Sequence, residues 1–252
     1  LSDSVDLGTL GSAGALIAWD KTRGNQQIKS LTALSSVVYT LFTGKPGVAA
    51  LKDFTFGDKI AVPAFNSPQA ILLRVAAAQQ LGGSAKADAL MVSLPHPDAT
   101  AAMRAGQGIA GYFATPPFTQ VLQADPKIRA IMTSTGLIGS GDITAATLNA
   151  KQGFVDANPK VAQAIRAGME DAVALIRSDP KRAATIYLAS EQVQIARAQV
   201  ETILTDGSIV YDVAPKGMVN LAKAMATQGF LRKVPGDWQE IFFPGLQGRD
   251  GS

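Results

Sequence analysis

Two kinds of apolar run alternate along the first half of the chain: short runs rich in β-branched residues, and longer stretches with helical periodicity. Gly, Pro, Asn and Asp separate the runs and mark turns. The short runs predict strands at Val5–Gly8, Ile28–Leu34, Val37–Thr43, Lys59–Pro63, Ala89–Leu94, Gly108–Phe113 and Ile128–Thr133. The longer stretches predict helices at Ala13–Trp19, after Ser67, at Ala99–Ala105 and after Pro116-Pro117.

The helix after Ser67 has the clearest signals of a start and an end. Ser67 is a favourable N-cap, and Pro68 occupies the first helical position, where its missing N–H has no cost. Gly82 is expected to end the helix. By similar reasoning, Asp98 and Asp125 are predicted to cap helices that follow them.

The pattern becomes mostly helical from Asn158 onward. Amphipathic periodicity predicts helices at Val161–Ile176, Pro180–Leu188, Glu191–Leu204 and Lys216–Gln228. Strands that alternate with helices, followed by a helix-rich part, indicate an α/β protein. We expect a parallel, doubly wound sheet with helices on both faces.

Composition excludes several classes of protein. The chain has 252 residues, no cysteine and one histidine, so disulfide scaffolds, zinc fingers and iron–sulfur sites are ruled out. The net charge is +3, the charged residues are scattered along the chain, and aromatic residues make up 6% of it. This pattern argues against nucleic-acid binding, which requires a concentrated basic surface. No stretch of about 18 apolar residues predicts a membrane span, and the first residues lack the features of a signal peptide.

The sequence offers little for catalysis. It contains no G-x-S-x-G elbow, no P-loop lysine motif and no G-x-G-x-x-G dinucleotide motif. A Ser–His–Asp triad would have to use His96, which lies between two prolines in a loop after a strand. We therefore expect a surface or capping role for His96.

Small hydroxyl and amide residues recur in the loops near strand ends, with one serine pair expected between two strands. These loops are Gly11-Ser12, Ser35-Ser36 (the pair between strands), Asn66-Ser67 and Thr115-Pro116. The set is completed by Gly139-Ser140-Gly141, a flexible connection near the change in composition. In open α/β sheets, ligands bind at the carboxyl ends of strands, beside helix N-termini that favour anions and polar acceptors. Each residue alone is also explained as an ordinary cap. Together they suit binding without chemistry.

Segments spread over nearly the whole chain resemble one known family. They are Val5–Gly8, Ala18–Asn25, Thr32–Ser36, Lys59–Ala78, Leu94–Ala99, Thr115–Phe118, Phe154–Pro159 and Trp238–Pro244. Through them the chain resembles periplasmic solute-binding proteins of ABC importers. The class it resembles binds nitrate, sulfonates and taurine. Proteins that bind precursors of the thiamin pyrimidine are similar to this class. The resemblance does not specify a ligand.

The resemblance implies a two-lobed periplasmic-binding-protein fold of type II, each lobe a mostly parallel sheet flanked by helices. Lobe I would comprise residues 1–37 and 140–252, and lobe II residues 38–139. Relatives begin lobe I with a further strand, helix and strand, which we expect to be missing from this sequence. Relatives also carry a Gly-Gly-Pro-His type of turn at the return crossing, where this chain has residues 139–142, Gly-Ser-Gly-Asp.

The resemblance also implies a function. A small polar or anionic solute, such as a sulfonate, nitrate or a related organic acid or heterocycle, would bind in the cleft between the lobes. An ABC permease of the inner membrane would be the partner. The protein would be a periplasmic monomer without a cofactor, a metal, nucleic acid or membrane insertion of its own. The residues expected to bind the solute are Gly11, Ser12, Ser35, Ser36, Phe65, Asn66, Ser67, Thr115, Pro116, Gly139 and Ser140.

Two larger side chains, Phe65 and Arg74, lie next to the Asn66-Ser67 loop and in the helix that follows it. Phe65 could stack on the solute or pack in the core. Arg74 is expected to lie too deep in its helix to reach the cleft. The absence of Arg from the predicted loops argues against a strongly charged sulfonate.

Two alternatives remain open. Some relatives with this fold are enzymes that make the pyrimidine part of thiamin with histidine and cysteine residues around a cofactor. One histidine and no cysteine do not favour that activity. A cytosolic ligand-sensing effector domain has a similar two-lobed fold and carries a DNA-binding region upstream. The segment Trp238–Pro244 favours the transport family.

Overall fold

The chain folds around two β-sheets, seen in a computed structural model that describes residues 5–190, 196–246 and 248–252. The strands are β1 (Leu7–Gly11), β2 (Ile28–Val37), β3 (Thr40–Thr43), β4 (Ile60–Val62), β5 (Met91–Ser93), β6 (Gly111–Ala114), β7 (Arg129–Thr133), β8 (Ile143–Lys151) and β9 (Ile209–Val210). One sheet has the order β1-β8-β2-β9 and the other the order β5-β4-β6-β3-β7. We call the regions built on them lobe I and lobe II, respectively.

Helices connect and cover the strands. They are α1 (Ser12–Thr22), α2 (Pro68–Leu81), α3 (Lys86–Leu90), α4 (His96–Ala105), α5 (Phe118–Gln123), α6 (Ser134–Ile138), α7 (Gln152–Ala157), α8 (Pro159–Ser178), α9 (Pro180–Ser190), α10 (Arg197–Thr205) and α11 (Met218–Thr227). Short 3₁₀ turns occur at Leu51–Asp53 and Trp238–Glu240. The part after Asn158 is mostly helical, as predicted. Residues 191–195 of the predicted helix Glu191–Leu204 lie outside the described residues.

The prediction of a mostly parallel sheet in each lobe is wrong, although the α/β class is confirmed. In lobe I, β8 pairs antiparallel with both β1 and β2, and β9 pairs antiparallel with β2. The cause is the path of the chain: β2 leaves lobe I and β8 returns to it, so these neighbours run in opposite directions. In lobe II, β4 is parallel to β5 and β6, whereas β3 is antiparallel to β6 and β7.

Neither of the two predicted aspartate caps is correct. Helix α4 begins at His96, because the following proline is tolerated in the first turn of a helix, and Asp98 lies inside that turn. Asp125 follows α5 and precedes a strand. Its carboxylate accepts the Lys127 N–H in the connecting turn (3.0 Å).

Helix α2 begins and ends as predicted. The Ser67 hydroxyl accepts the Ala70 N–H (3.3 Å), and Pro68 is the first helical residue. Gly82 adopts a left-handed conformation (φ 75°), which glycine tolerates without steric cost.

An apolar cluster joins α2 of lobe II to α1 and α11 of lobe I. Burial of large apolar side chains stabilises by about 1.5–3 kcal/mol each, so this cluster packs the two lobes together on the α2 side. Fully buried members of the cluster include Leu16, Leu72, Ala76, Leu221 and Met225.

Two segments carry the chain between the lobes, residues 38–39 from β2 to β3 and residues 134–142 from β7 to β8. Buried Ser134 ties them together. Its N–H donates to the Tyr39 carbonyl (2.8 Å), and its hydroxyl accepts the Tyr39 N–H (3.2 Å). The same hydroxyl donates to the Gly141 carbonyl (3.4 Å). The two crossings therefore meet at one side chain.

Candidate functional site

The edge of lobe II beside the crossings collects the ends of several strands. The parallel strands β4, β5 and β6 end there at Val62, Ser93 and Ala114, and β3 begins there at Thr40. Helices α2, α4 and α5 start within a few residues of these strand ends. N–H groups at a helix N-terminus lack intrahelical partners and carry partial positive charge. This edge therefore suits an anion or a polar acceptor.

In lobe I, the structure brings four predicted site residues together. Gly11 ends β1, Ser12 begins α1, and Ser35 and Ser36 lie in β2. Gly11 and Ser35 flank the same residue of β8 on its two sides. The expectation that the serine pair lies between two strands is wrong, because β2 continues to Val37 before the chain crosses to lobe II.

The hydroxyls of Ser12 and Ser36 are buried without a partner. The two residues are 0% and 1% exposed, and among the described residues neither Oγ atom has a hydrogen-bond partner. A buried polar atom left unpaired costs about 1–3 kcal/mol, and native proteins keep few of them. Both hydroxyls lie at the α1 end of the lobe I sheet, where the first N–H groups of α1 lack intrahelical partners.

Tyr39, in the first crossing, lies beside Ser12 and was not predicted as a site residue. It is almost fully buried, and burial raises the pKa of its phenol. The nearby Ser12 hydroxyl, which approaches the phenol without reaching hydrogen-bond geometry, offsets this effect only partly. The phenol is therefore neutral and able to donate a hydrogen bond. The sequence gives no sign of this role, because Tyr39 reads there as one more residue of an apolar strand.

The predicted residues of lobe II lie at the matching edge, but several of their polar atoms are engaged locally. The Ser67 hydroxyl caps α2, and the Thr115 carbonyl accepts two N–H groups at the start of α5. Pro116 is joined to the next proline by a cis peptide bond. Phe65, 52% exposed, and the exposed Asn66 lie outside the core and are accessible from solvent.

Arg74 reaches back from the middle of α2 to the same loop. Its guanidinium donates to the Phe65 carbonyl (2.8 Å) and to the Asp88 carboxylate (2.9 Å). It also lies 5.2 Å from the centre of the Phe230 ring in lobe I. Because these contacts occupy its donors, Arg74 holds the loop in place and is not a free cation for a ligand.

Gly139 and Ser140, in the return crossing, face lobe I. Gly139 ends α6 in a left-handed conformation (φ 69°). The Ser140 hydroxyl accepts the Asn220 amide N–H (2.9 Å) and lines a cavity of about 240 Å³ with Gly217 and Trp238. No described contact places Ser140 beside Ser12 and Ser36, so its role as a solute ligand stays a prediction.

His96 has a more specific environment than the expected surface or capping role. It is the first residue of α4 and half-buried, and its ring stacks on Phe118 at 5.1 Å between centroids. Its Nδ1 is hydrogen-bonded to the Tyr112 hydroxyl, and its Nε2 lies 3.5 Å from the Gln69 amide nitrogen. Burial lowers the pKa of His96, so the ring is neutral at pH 7. In the sequence, the position of His96 in a loop after a strand is the one signal that indicates a place near the candidate site.

A separate cavity of about 530 Å³ lies at the opposite edge of lobe II, lined by basic residues including Lys45, Arg104 and Lys127. Its lining contains none of the predicted site residues. Within the described ranges, no three His, Cys, Asp or Glu side chains are grouped as a metal ion would require. No helix of those ranges has the length and hydrophobicity needed to cross a membrane.

Two lobes joined by two crossings, with strand ends facing each other, define the periplasmic-binding-protein fold. The Escherichia coli periplasmic aliphatic sulphonate binding protein SsuA has a TM-score of 0.65 and 16% identity over 99% of this chain and 79% of its own. The Xanthomonas axonopodis alkanesulfonate-binding protein SsuA, bound to MOPS, has a TM-score of 0.62 and 20% identity over 91% and 78%. A Candida albicans protein described as having the generic periplasmic binding protein fold has a TM-score of 0.64 and 12% identity over 99% and 82%. These matches confirm the predicted fold.

The sequence itself identifies the family. Residues 4–190 match the NMT1-like family, and the chain belongs to it. With the structural likeness, this confirms the resemblance to periplasmic solute-binding proteins that the sequence predicts. A comparison with curated protein sequences finds no significant match.

Proposed function

We propose that this protein captures a small polar or anionic organic solute between its lobes and delivers it to the permease of an ABC importer. The observation that carries the proposal is the pair of buried, unpartnered hydroxyls of Ser12 and Ser36 beside the N-terminus of α1. A ligand that completes their hydrogen bonds would remove the cost of burying them. The likeness to two proteins described as sulfonate binders, one of them periplasmic, supports a solute-binding role and a periplasmic location.

The available donors favour an oxyanion as the bound group. Ser12 and Ser36 supply hydroxyls, and α1 supplies N–H groups whose partial charge stabilises an anion by about 0.3–1 kcal/mol. The predicted site residues include no Lys or Arg, so hydrogen bonds and the helix dipole would have to hold the charge. The absence of Arg weighs weakly against a sulfonate, but the likeness to two proteins described as sulfonate binders outweighs it. We therefore place aliphatic sulfonates first, ahead of nitrate, aromatic acids and pyrimidines.

Capture would work by closure of the two lobes about the crossings. A solute that contacts both lobes binds the closed form better than the open form and shifts the population towards it. Ser134 holds the crossings in register, so the lobes would rotate about one defined axis.

Binding without catalysis fits the same groups. Serine hydroxyls need a neighbouring base to become nucleophiles. The one histidine of the chain uses Nδ1 for the Tyr112 hydroxyl and packs against Phe118. We therefore propose that the solute leaves the protein unchanged.

A thermal-shift screen of the full chain tests the proposed function. The compounds are methanesulfonate, taurine, nitrate, benzoate and cytosine, with sodium chloride at equal ionic strength as the control. A ligand at 100 times its Kd stabilises the folded state by about 2.7 kcal/mol, which corresponds to a rise in Tm of roughly 5–11 °C at this chain length. If none of the compounds raises the Tm above the chloride control, the proposed solute classes are wrong.

A further inference from the structure

A side chain of α5 crosses directly from lobe II to lobe I. The Gln120 amide nitrogen donates to the Asp206 carboxylate (2.7 Å) and to the Ser208 hydroxyl (2.5 Å). The amide oxygen of Gln120 accepts the Thr119 hydroxyl (2.8 Å), which orients the nitrogen towards lobe I. Both ends of the amide are therefore used.

The acceptors in lobe I belong to one compact turn at the end of α10. The second carboxylate oxygen of Asp206 accepts the N–H (2.8 Å) and the hydroxyl (2.6 Å) of Ser208. Gly207 has φ 76°, a conformation that glycine adopts at no steric cost. Because all these bonds lie within lobe I, the turn stays formed when the lobes separate and is ready to receive Gln120 again.

This contact lies on the other side of lobe II from the apolar cluster of α2. Neighbouring residues of β6 point to opposite faces of the sheet: Phe113 packs in the cluster that contains α2, and Tyr112 packs in the cluster that contains α5. On one face the lobes thus touch mainly through apolar side chains, together with the Arg74–Phe230 contact and a long hydrogen bond from the Gln228 amide to the Ile71 carbonyl (3.5 Å). On the other face they touch through Gln120.

The contact is also close in the chain to both halves of the predicted site. Gln120 is on the short helix that begins just after Thr115. Ser208 immediately precedes β9, in which Val210 pairs with Ser36. Each side of the contact is therefore joined along the chain to a strand or a loop of the predicted site.

We propose that Gln120, Asp206 and Ser208 form a latch that holds the two lobes closed. That a closed latch would retain a solute rests on the proposed function. The latch itself is a property of the protein without a solute. Opening must break both bonds of Gln120, since they join side chains of different lobes. The contact is partly exposed to water, so the latch is releasable, and we expect its loss to shift the closed-to-open ratio by about tenfold.

The test measures the distance between the lobes without any solute. The chain has no cysteine. Spin labels attached to the introduced cysteines Lys127→Cys and Gln199→Cys would therefore report on those two positions alone. These exposed residues line the same cavity from lobe II and from lobe I, respectively. Dipolar spectroscopy then gives the interlobe distance distribution in the labelled parent, in Q120A and in Q123A. Gln123 is the matched control, an exposed glutamine of α5 whose side chain has no described hydrogen bond.

The expected result is a larger long-distance population in Q120A and no change in Q123A. Circular dichroism confirms that each variant is folded, and D206A/S208A removes the latch from the lobe I side if Q120A does not fold. Identical distributions in the parent and in a folded latch variant would overturn the proposal. The measurement is independent of the thermal-shift screen, so a screen without a binder rejects the proposed function and leaves the latch result standing.

Discussion

At the residue scale, the hydroxyls of Ser12 and Ser36 connect stability to binding. Both are buried without a partner among the described residues. Replacing an unpaired polar atom by an apolar one removes a desolvation cost, so alanine is tolerated in the free protein. The same replacement removes two hydrogen bonds from the complex with a solute. The stability of the free protein and its affinity for the solute are therefore expected to respond in different ways.

We expect Ser12→Ala and Ser36→Ala each to leave the Tm of the free protein within about 2 °C of the parent, or to raise it. Differential scanning calorimetry measures this. Ser67→Ala is the comparison, because its hydroxyl caps α2 and a lost cap costs about 1 kcal/mol, or roughly 2–4 °C here. A larger loss in the Ser12 and Ser36 variants than in the Ser67 variant would show that these hydroxyls stabilise the fold.

The sequence predicts the positions of these residues but not their different roles. Ser12, Ser36, Ser67 and Ser140 look alike as small polar residues in loops. In the structure, Ser67 caps its own helix and Ser140 bonds to Asn220, whereas the other two have no partner. A cap depends on residues three positions away and is visible in sequence. Burial and pairing depend on segments far apart in the chain, so they are not.

At the element scale, the two crossings act as one hinge because Ser134 joins them. Its hydroxyl accepts the Tyr39 N–H of one crossing and donates to the Gly141 carbonyl of the other. Without the hydroxyl, a buried N–H and a carbonyl lose their side-chain partner. The pairing of the Ser134 N–H with the Tyr39 carbonyl would remain.

Ser134→Ala is expected to lower the free energy of unfolding by about 1–3 kcal/mol, because it leaves a buried N–H unpaired. Urea denaturation followed by circular dichroism measures the change. Ser84→Ala is the control, since no described hydrogen bond involves the Ser84 hydroxyl. Equal stability of the two variants would mean that Ser134 does not hold the crossings together.

The elements themselves could largely be predicted, whereas strand directions could not. The α2 helix agrees with its N-cap, proline and glycine signals, and strands β1 to β7 lie close to the predicted apolar runs. No predicted strand covers β8 or β9, although β8 pairs with both β1 and β2 in the lobe I sheet. Periodicity reports which face of an element is buried but contains no direction. The antiparallel pairing of β2 with β8 follows from the crossing to lobe II and back. The latch residue Gln120 has no local signature either, because its partners Asp206 and Ser208 are far away in the sequence.

At the scale of the whole molecule, the lobes are linked by the hinge, by the α2 cluster and by the latch of Gln120, Asp206 and Ser208. The latch is the link that pH can change. Burial tends to raise the pKa of Asp206, but hydrogen bonds from Ser208 and Gln120 outweigh it and hold the pKa below its ordinary value. Tyr211 nearby is neutral, since burial and the Asp206 charge raise the pKa of its phenol.

Because the folded-state pKa of Asp206 is lowered, its contribution to stability is present at neutral pH. It is lost as pH falls below about 4. Asp206→Asn does not titrate, so the difference in free energy of unfolding between parent and variant should shrink between pH 6 and pH 3. Urea denaturation at several pH values measures it, and contributions of other carboxylates cancel in the difference. A constant difference would contradict the charged role of Asp206.

The central claim is that a solute binds between the lobes on the Ser12 and Ser36 hydroxyls. Isothermal titration calorimetry of the full chain, with the compound that gives the largest thermal shift, tests it most directly. The parent, the S12A/S36A double variant and the exposed-serine control S178A are compared. We expect saturable binding at one site in the parent and S178A, and an affinity at least about tenfold weaker in S12A/S36A. Equal affinity in all three proteins would contradict the claim.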